Sequence, residues 1–256
     1  METWMIGVPA AIAAGIAGLT AYGAAYPRAH LFGPIVFRTK APSKLAITFD
    51  DGPNPAITPK LLDLLAKHNA RATFFLIGKF VRECPELTKE ILARGHALGN
   101  HTDTHPNLFL CGREKTEEEL KRCIDAIRQA AGVEPRWFRP PFGFRSPWLS
   151  EIVAAQGMKT VMWTRIPGDW RVKPAEWLIK RMNPIAANAR KKLPPGTGYG
   201  GRLTGDILCL HDGNHRQLNG DRAHTVAALE YWLPRWSDLG LEFVTMDETL
   251  SKTVEA

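Results

Sequence analysis

The stretch Lys44-Leu45-Ala46-Ile47-Thr48-Phe49-Asp50-Asp51-Gly52-Pro53 decides how the chain is read. Residues 45–49 are apolar, β-branched or aromatic, which predicts a buried strand. Two adjacent carboxylates end it, and Gly52-Pro53 turns the chain, so one carboxylate is expected on each side of the turn. Such a pair is costly to hold ionised together and calls for a cation or a buried basic partner.

The rhythm continues downstream. Strands are expected at residues 45–49, 72–77, 96–100, 137–138, 160–163, 207–210 and 241–244. Between them, helices are expected at 59–68, 85–94, 116–131, 147–156, 174–190 and 222–239, each with apolar residues three and four apart. The helix over 116–131 has the sharpest boundaries, because Thr116 and Glu119 read as a capping box and Gly132 as a helix stop. Alternation of this kind demands parallel strands joined by crossover helices. The ionisable residues Asp50, Asp51, His101, His105, Arg139, Asp169 and His211 fall at or just past the C-terminal ends of successive strands. Barrel enzymes assemble their sites on that face. The expected fold is therefore α/β, a distorted or incomplete (β/α) barrel with about seven parallel strands, preceded by an N-terminal apolar helix.

With 256 residues, 45% hydrophobic and 23% charged, the chain can bury one large core, and no linker divides residues 41–250. Three parts are expected: a membrane anchor helix over 1–28, a linker over 29–40 and the main domain over 41–256. Residues 3–27 carry no charged side chain, and Trp4, Tyr22 and Tyr26 stand near the ends of the apolar run, as in a membrane span. A cleaved secretory signal competes with this reading but lacks a basic start. A buried helix of the domain is the third reading. Single-pass membrane localisation is expected, with the side open. Arg28, Arg38, Lys40 and Lys44 all follow the span and would hold the domain inside, whereas a wall enzyme belongs outside.

The net charge of +7 fits either a solvated basic surface or anionic partners such as phospholipid headgroups or acidic wall polymers. No basic run interleaved with aromatics is present, so no nucleic-acid partner is expected. Cys84, Cys111, Cys123 and Cys209 form no C-x-x-C, which signals neither a disulfide framework nor a thiolate metal site. Cys209 lies in an apolar run and reads as core. The Pro/Gly-rich stretch at 193–205 breaks the rhythm, as a lid over a substrate groove or as a tolerated insertion.

His101-Thr102-Asp103-Thr104-His105 sets two imidazoles four residues apart directly after a strand. With one carboxylate they make a facial set of metal ligands that leaves positions open for water. Arg139 opens the rigid Arg139-Pro140-Pro141-Phe142-Gly143. Asp169-Trp170 and Leu208-Cys209-Leu210-His211-Asp212 follow two further strands. Taken singly, these residues read equally as a turn, a structural histidine or a helix cap.

In order and combination the five elements TFDDGP, HTDTHP, RPPFG, GDW and LCLHD resemble the carbohydrate esterase family 4 polysaccharide deacetylases, the NodB-homology domain, over residues 41–250. The resemblance implies a metal-dependent hydrolase that removes N-acetyl groups from amino-sugar glycans: chitin-like oligomers, peptidoglycan or a lipid-linked glycan. It implies that Asp51, His101 and His105 hold one divalent metal, zinc in first place and cobalt, manganese or nickel otherwise. Asp50 would be the general base toward the attacking water. His211 would be the general acid, since the departing sugar nitrogen must be protonated. Arg139 would orient Asp50, and Asp169 would keep His211 cationic. The backbone N–H of Phe142 would stabilise the oxyanion, while Trp170 and Leu210 would wall the pocket for the acetyl methyl. Two positions depart from the family pattern: Phe142 stands where Tyr is common, and Ile166 where another Asp is frequent. The second bears on the groove and hence on substrate choice. An O-acetyl esterase acting on a polysaccharide such as xylan, and a non-catalytic, membrane-tethered carbohydrate-binding protein, remain as other readings.

Overall fold

In the computed structural model, which describes residues 3–190 and 204–250, strand β2 (Lys44–Gly52) is the axis of the sheet. It pairs in parallel with β3 (Ala72–Leu76) on one side, with β7 (Gly205–His211) on the other, and at its start with β8 (Glu242–Phe243). Beyond β3 follow β4 (Ala97–Asn100), β5 (Trp137–Phe138) and β6 (Lys159–Thr160), again all parallel. One antiparallel strand, β1 (Arg38–Thr39), flanks β7. Past β6 the chain swings back to β7: Arg165 bridges Leu208, and the Thr164 N–H donates to the Ile207 carbonyl at 3.0 Å. The expected distorted α/β barrel is thus present, its closure reduced to a bridge.

Helices α2 (Thr58–Lys67), α4 (Pro85–Ala93), α5 (Arg113–Ala131), α6 (Leu149–Ala155), α7 (Ala175–Ala189) and α8 (Ala223–Asp238) stand where the apolar periodicity places them. The short α3 (Gly78–Glu83) and α9 (Met246–Leu250) do not complete enough turns to show a period in sequence. Helix α5 starts at Arg113 behind Gly112, so Thr116 and Glu119 are not its capping box. Gly132 ends it in the left-handed region, at φ 73°, as expected.

Strand alternation sets which side chains reach the site. Along β2, Leu45, Ile47 and Phe49 pack outward with the helices, whereas Ala46 joins an inner cluster with Phe75, Trp137, Val161 and Ile207. Phe49 stacks on Phe74 at 4.9 Å, both fully buried, each contributing on the order of 2–3 kcal/mol. Asp50 therefore shares the inner face with Thr48. On β7, Leu208 and Leu210 belong to the outer core, so Cys209 and His211 turn inward.

Helix α1 (Thr3–Ala25) forms where an N-terminal helix is expected. Among the described residues, however, no helix is long and apolar enough to cross a membrane, so the expected span is not supported. Residues 11–25 are mostly Ala and Gly, which carry little apolar area. Residues 29–40, expected as a linker, are fastened to the barrel. The Val36 N–H and carbonyl pair with Thr160 and Met162 at 2.8 Å each. The buried Arg145 guanidinium donates to the carbonyls of Tyr26 and Ala29 at 2.7 Å, and its backbone N–H donates to Ala24. All but the last two residues of the 193–205 stretch lie outside the described residues.

Candidate active site

A cavity of about 390 Å³ opens at the C-terminal ends of the strands, lined by Asp50, Asp51, His101, His105, Phe142, Trp170 and His211 among others. Asp50 and Asp51 both face it. The reason is a register shift in the β2–β3 pairing between Asp50 and Gly52, with Asp51 at φ 73°. This bulge spoils the period of two, so neighbouring carboxylates share one side instead of taking opposite ones. The turn also needs small residues. A Cβ at Gly52 would collide with the Asp212 carboxylate, and one at Gly213 with the Asp51 carbonyl.

The loop after β4 carries two further left-handed residues, Thr102 (φ 67°) and His105 (φ 63°). Hydrogen bonds support these backbone conformations. Asn100 Oδ1 accepts from the Thr102 N–H at 2.8 Å, and Thr102 Oγ1 from the His105 N–H at 3.0 Å. Glu119, buried on α5, accepts from the N–H groups of Asp103 and Thr104 at 3.0 and 2.8 Å. Asp103, fully buried, pairs with Arg82 at 2.7 Å and Arg122 at 2.9 Å. The residue that looked like a helix cap thus braces the histidine loop.

Asp51 Oδ1 lies 3.2 Å from His105 Nε2 and 3.6 Å from His101 Nε2, and it has no hydrogen-bond partner although buried. His101 Nδ1–H donates to the Arg139 carbonyl at 2.7 Å, which leaves the Nε2 lone pair aimed at the triad. Burial lowers the His105 pKa to about 2 and keeps the ring neutral. Burial alone would raise Asp51, but the imidazoles around it, His215 foremost, hold its carboxyl well below the usual range. Two neutral imidazoles, one carboxylate and an unpartnered buried oxygen fit a divalent cation. These three residues would hold it, as one candidate cluster with ligand atoms within 4.8 Å of one another.

Asp50 is engaged at both oxygens. Arg139 Nη1 donates to Oδ1 at 2.7 Å and to Thr48 Oγ1 at the same distance, while the Cys209 thiol approaches Oδ2 at 3.3 Å. Arg139 is itself fully buried, over the Phe75 ring at 4.2 Å and donating to the Met162 carbonyl. Beside Asp50, across the β2–β7 pairing, His211 is held by the fully buried Asp169, which accepts from its Nδ1–H at 2.8 Å and from its backbone N–H at 2.7 Å. Burial alone would lower the His211 pKa, but the Asp169 carboxylate outweighs it and raises the value to about 9. Trp170, half exposed, sets its ring edgewise to His211 at 5.6 Å. Phe142 sits at φ 57° on the rim. Leu210 does not line the cavity, because β7 alternation turns it into the outer core and brings Cys209 inward.

One titratable cavity residue was not singled out from sequence. His215 stacks on His105 at 4.3 Å between ring centres, stands 3.9 Å from Asp51 Oδ2, and gives its carbonyl to Lys79 Nζ at 2.7 Å. The signal for it was a second histidine four residues beyond His211, the spacing already noted for His101 and His105.

A family model described as polysaccharide deacetylase matches residues 38–161. The chitooligosaccharide deacetylase of Azorhizobium caulinodans is 37% identical over 205 residues, spanning 77% of this chain and 89% of that protein. The chain belongs to the polysaccharide deacetylase family. A peptidoglycan-N-acetylglucosamine deacetylase of Bacillus cereus is also 37% identical, over 80% of this chain and 87% of its own length. Among solved structures, the Bc1960 peptidoglycan N-acetylglucosamine deacetylase superposes with a TM-score of 0.72 at 27% identity, covering 84% of this chain and 92% of that one. BA3943 of Bacillus anthracis, a CE4 family pseudoenzyme, superposes at 0.70 with 25% identity, over 85% and 69%. Members of this family with this fold are metal-dependent hydrolases, and one of the similar structures is nonetheless a pseudoenzyme.

Proposed function

We propose that the protein removes N-acetyl groups from amino-sugar glycans, with Asp51, His101 and His105 holding a divalent cation, zinc by preference for a two-nitrogen, one-oxygen set. Since a relative of the same fold is a pseudoenzyme, the fold does not carry this reading. What carries it is one cavity that gathers the ligand triad, the Arg139–Asp50 pair and the Asp169–His211 pair. When bound, the cation lowers the pKa of water and polarises the amide carbonyl.

The chain's own groups do the rest. Asp50 accepts the proton of the attacking water at Oδ2, because Oδ1 is committed to the Arg139 guanidinium whereas Oδ2 carries only the weak Cys209 thiol contact and keeps a lone pair. His211 gives a proton from Nε2 to the departing sugar nitrogen, since its Nδ1–H is committed to Asp169. The Phe142 backbone N–H stabilises the oxyanion at the rim, and the exposed Trp170 face packs against a sugar ring. Protein stripped by a chelator and reloaded with zinc, cobalt, manganese or nickel is expected to release acetate from N-acetylglucosamine oligomers. Acetate from acetylated xylan alone would make the protein an O-acetyl esterase. No acetate with any metal or substrate would refute catalysis.

We also propose that α1 meets a lipid surface, as a membrane-localised protein requires. The support is the uncharged run over residues 3–27 and the exposure of Ile12, Ile16, Leu19 and Tyr22. The full chain is expected to sediment with anionic phospholipid vesicles, and Ile16→Glu with Leu19→Glu to abolish it. Equal sedimentation of the variant would remove α1 from membrane binding.

A further inference from the structure

A second cavity, of about 440 Å³, lies beside the catalytic one. Pro27, Trp163 and Ile166 wall both, so the two are neighbouring chambers of one groove. Three guanidiniums line the second chamber, those of Arg28, Arg165 and Arg181, and no carboxylate does. Among the described residues none of the three forms a salt bridge. Elsewhere on the molecule Arg82, Arg94, Arg113, Arg122 and Arg128 each pair with a carboxylate, so the chamber's lack of one leaves its positive charge unbalanced.

The three are also held in place. Arg165 is tied to β7 through its own N–H and carbonyl, to Ile207 and Cys209, while its side-chain Nε is buried without a hydrogen-bond partner. Arg181 lies over the Trp177 ring at 4.8 Å and donates to the Pro167 carbonyl. Arg28 lies between Tyr26 and Ala29, whose carbonyls Arg145 clamps, and its guanidinium sits 5.9 Å from the centre of the Phe37 ring. Ile166, on the partition, contributes no charge where an aspartate would cancel one. Like charges gathered on a concave wall raise the local concentration of anions. Guanidinium forks match the oxygens of a phosphoryl group, and three of them exceed what one carboxylate balances.

We propose that this chamber binds the phosphoryl group of an N-acetylated amino-sugar phosphate whose acetamide enters the catalytic cavity. The proposal rests on the deacetylase reading for its reaction, but not for its binding. The phosphate belongs either to a free sugar phosphate or to a lipid-linked one, and α1 ends at the foot of this chamber, where Tyr26 and Pro27 line it.

The test compares acetate release from N-acetylglucosamine 1-phosphate with release from N-acetylglucosamine, for the full metal-loaded chain. The phosphorylated sugar is expected to have the higher kcat/KM by about tenfold or more, a preference that shrinks as salt rises. Arg28→Gln with Arg165→Gln, and separately Ile166→Asp, are expected to collapse the ratio. Calorimetric titration of N-acetylglucosamine 1-phosphate into each protein reads binding without turnover, and the variants should weaken it about tenfold. A polyprenyl phosphate-linked sugar in vesicles turned over faster than the soluble phosphate assigns the lipid-linked source, and equal rates assign the free one. A ratio near one at low salt, or a preference for a muramyl carboxylate over phosphate, overturns the proposal. If no substrate releases acetate, the deacetylase reading fails. The titration still decides the chamber: tight binding lost in the variants upholds it, and no binding removes it.

Discussion

Asp51→Asn is expected to weaken zinc or cobalt binding by more than about 100-fold, whereas Asp50→Asn keeps the metal and loses turnover by about 10²- to 10⁴-fold. Adjacent in sequence and facing one cavity, the two carboxylates have different neighbours. Asp51 Oδ1 has two imidazole nitrogens within 3.6 Å and no proton donor, the surroundings of a ligand. Asp50 has Arg139 on one oxygen and the Cys209 thiol on the other, the surroundings of an oriented base. An asparagine at 50 can keep an oxygen toward Arg139, so the fold of the site survives while the proton acceptor is lost. At 51 the exchange removes the charge that makes the triad a strong site for a dication. Calorimetric metal titration and an acetate assay on the same preparations read both effects. Metal loss in Asp50→Asn with retention in Asp51→Asn would reverse the assignment of ligand and base.

The barrel and the triad were legible in sequence because each rests on a local pattern. The runs at 45–49, 96–100, 137–138 and 207–210 lead straight into Asp50, His101, Arg139 and His211, and a second histidine follows His101 at close spacing. What was missed depended on which way a side chain turns. Leu210 and Cys209 are neighbours in one apolar run, and composition alone makes both core. Counting by twos from His211 would have sent Cys209 to the site and Leu210 to the helices. The opposite failure occurred at Asp50-Asp51, where strict alternation separates the carboxylates and a bulge reunites them. Glu119 misled for a third reason. Its spacing from Thr116 satisfies a local capping rule, yet its carboxylate is used by a loop sixteen residues earlier in the chain, at Asp103. The arginine chamber draws on residues 28, 165 and 181, which no window of sequence brings together.

His211 should show its role through pH. The pairing with Asp169 raises its pKa to about 9, so the acid form needed to protonate the sugar nitrogen is populated through neutral pH and lost above. A cation bound by Asp51 repels the imidazolium, which places the alkaline limb of the loaded enzyme at or below about 9. In Asp169→Asn the carboxylate that opposes burial is gone, and the limb should move to lower pH. His211→Ala should cost about 10²- to 10⁴-fold in kcat on an N-acetyl sugar and far less on an O-acetyl ester, whose leaving group departs without a strong acid. Stability gives a separate reading. Because the folded pKa lies above the ordinary imidazole value of about 6.5, the pairing stabilises the metal-free protein fully below pH about 6.5 and ceases to do so as pH rises through about 9. The difference in melting temperature between wild type and Asp169→Asn should therefore be largest near pH 6 and shrink by pH 10. A difference that stays constant across that range, together with an unmoved alkaline limb, would show that Asp169 holds the position of His211 without setting its charge.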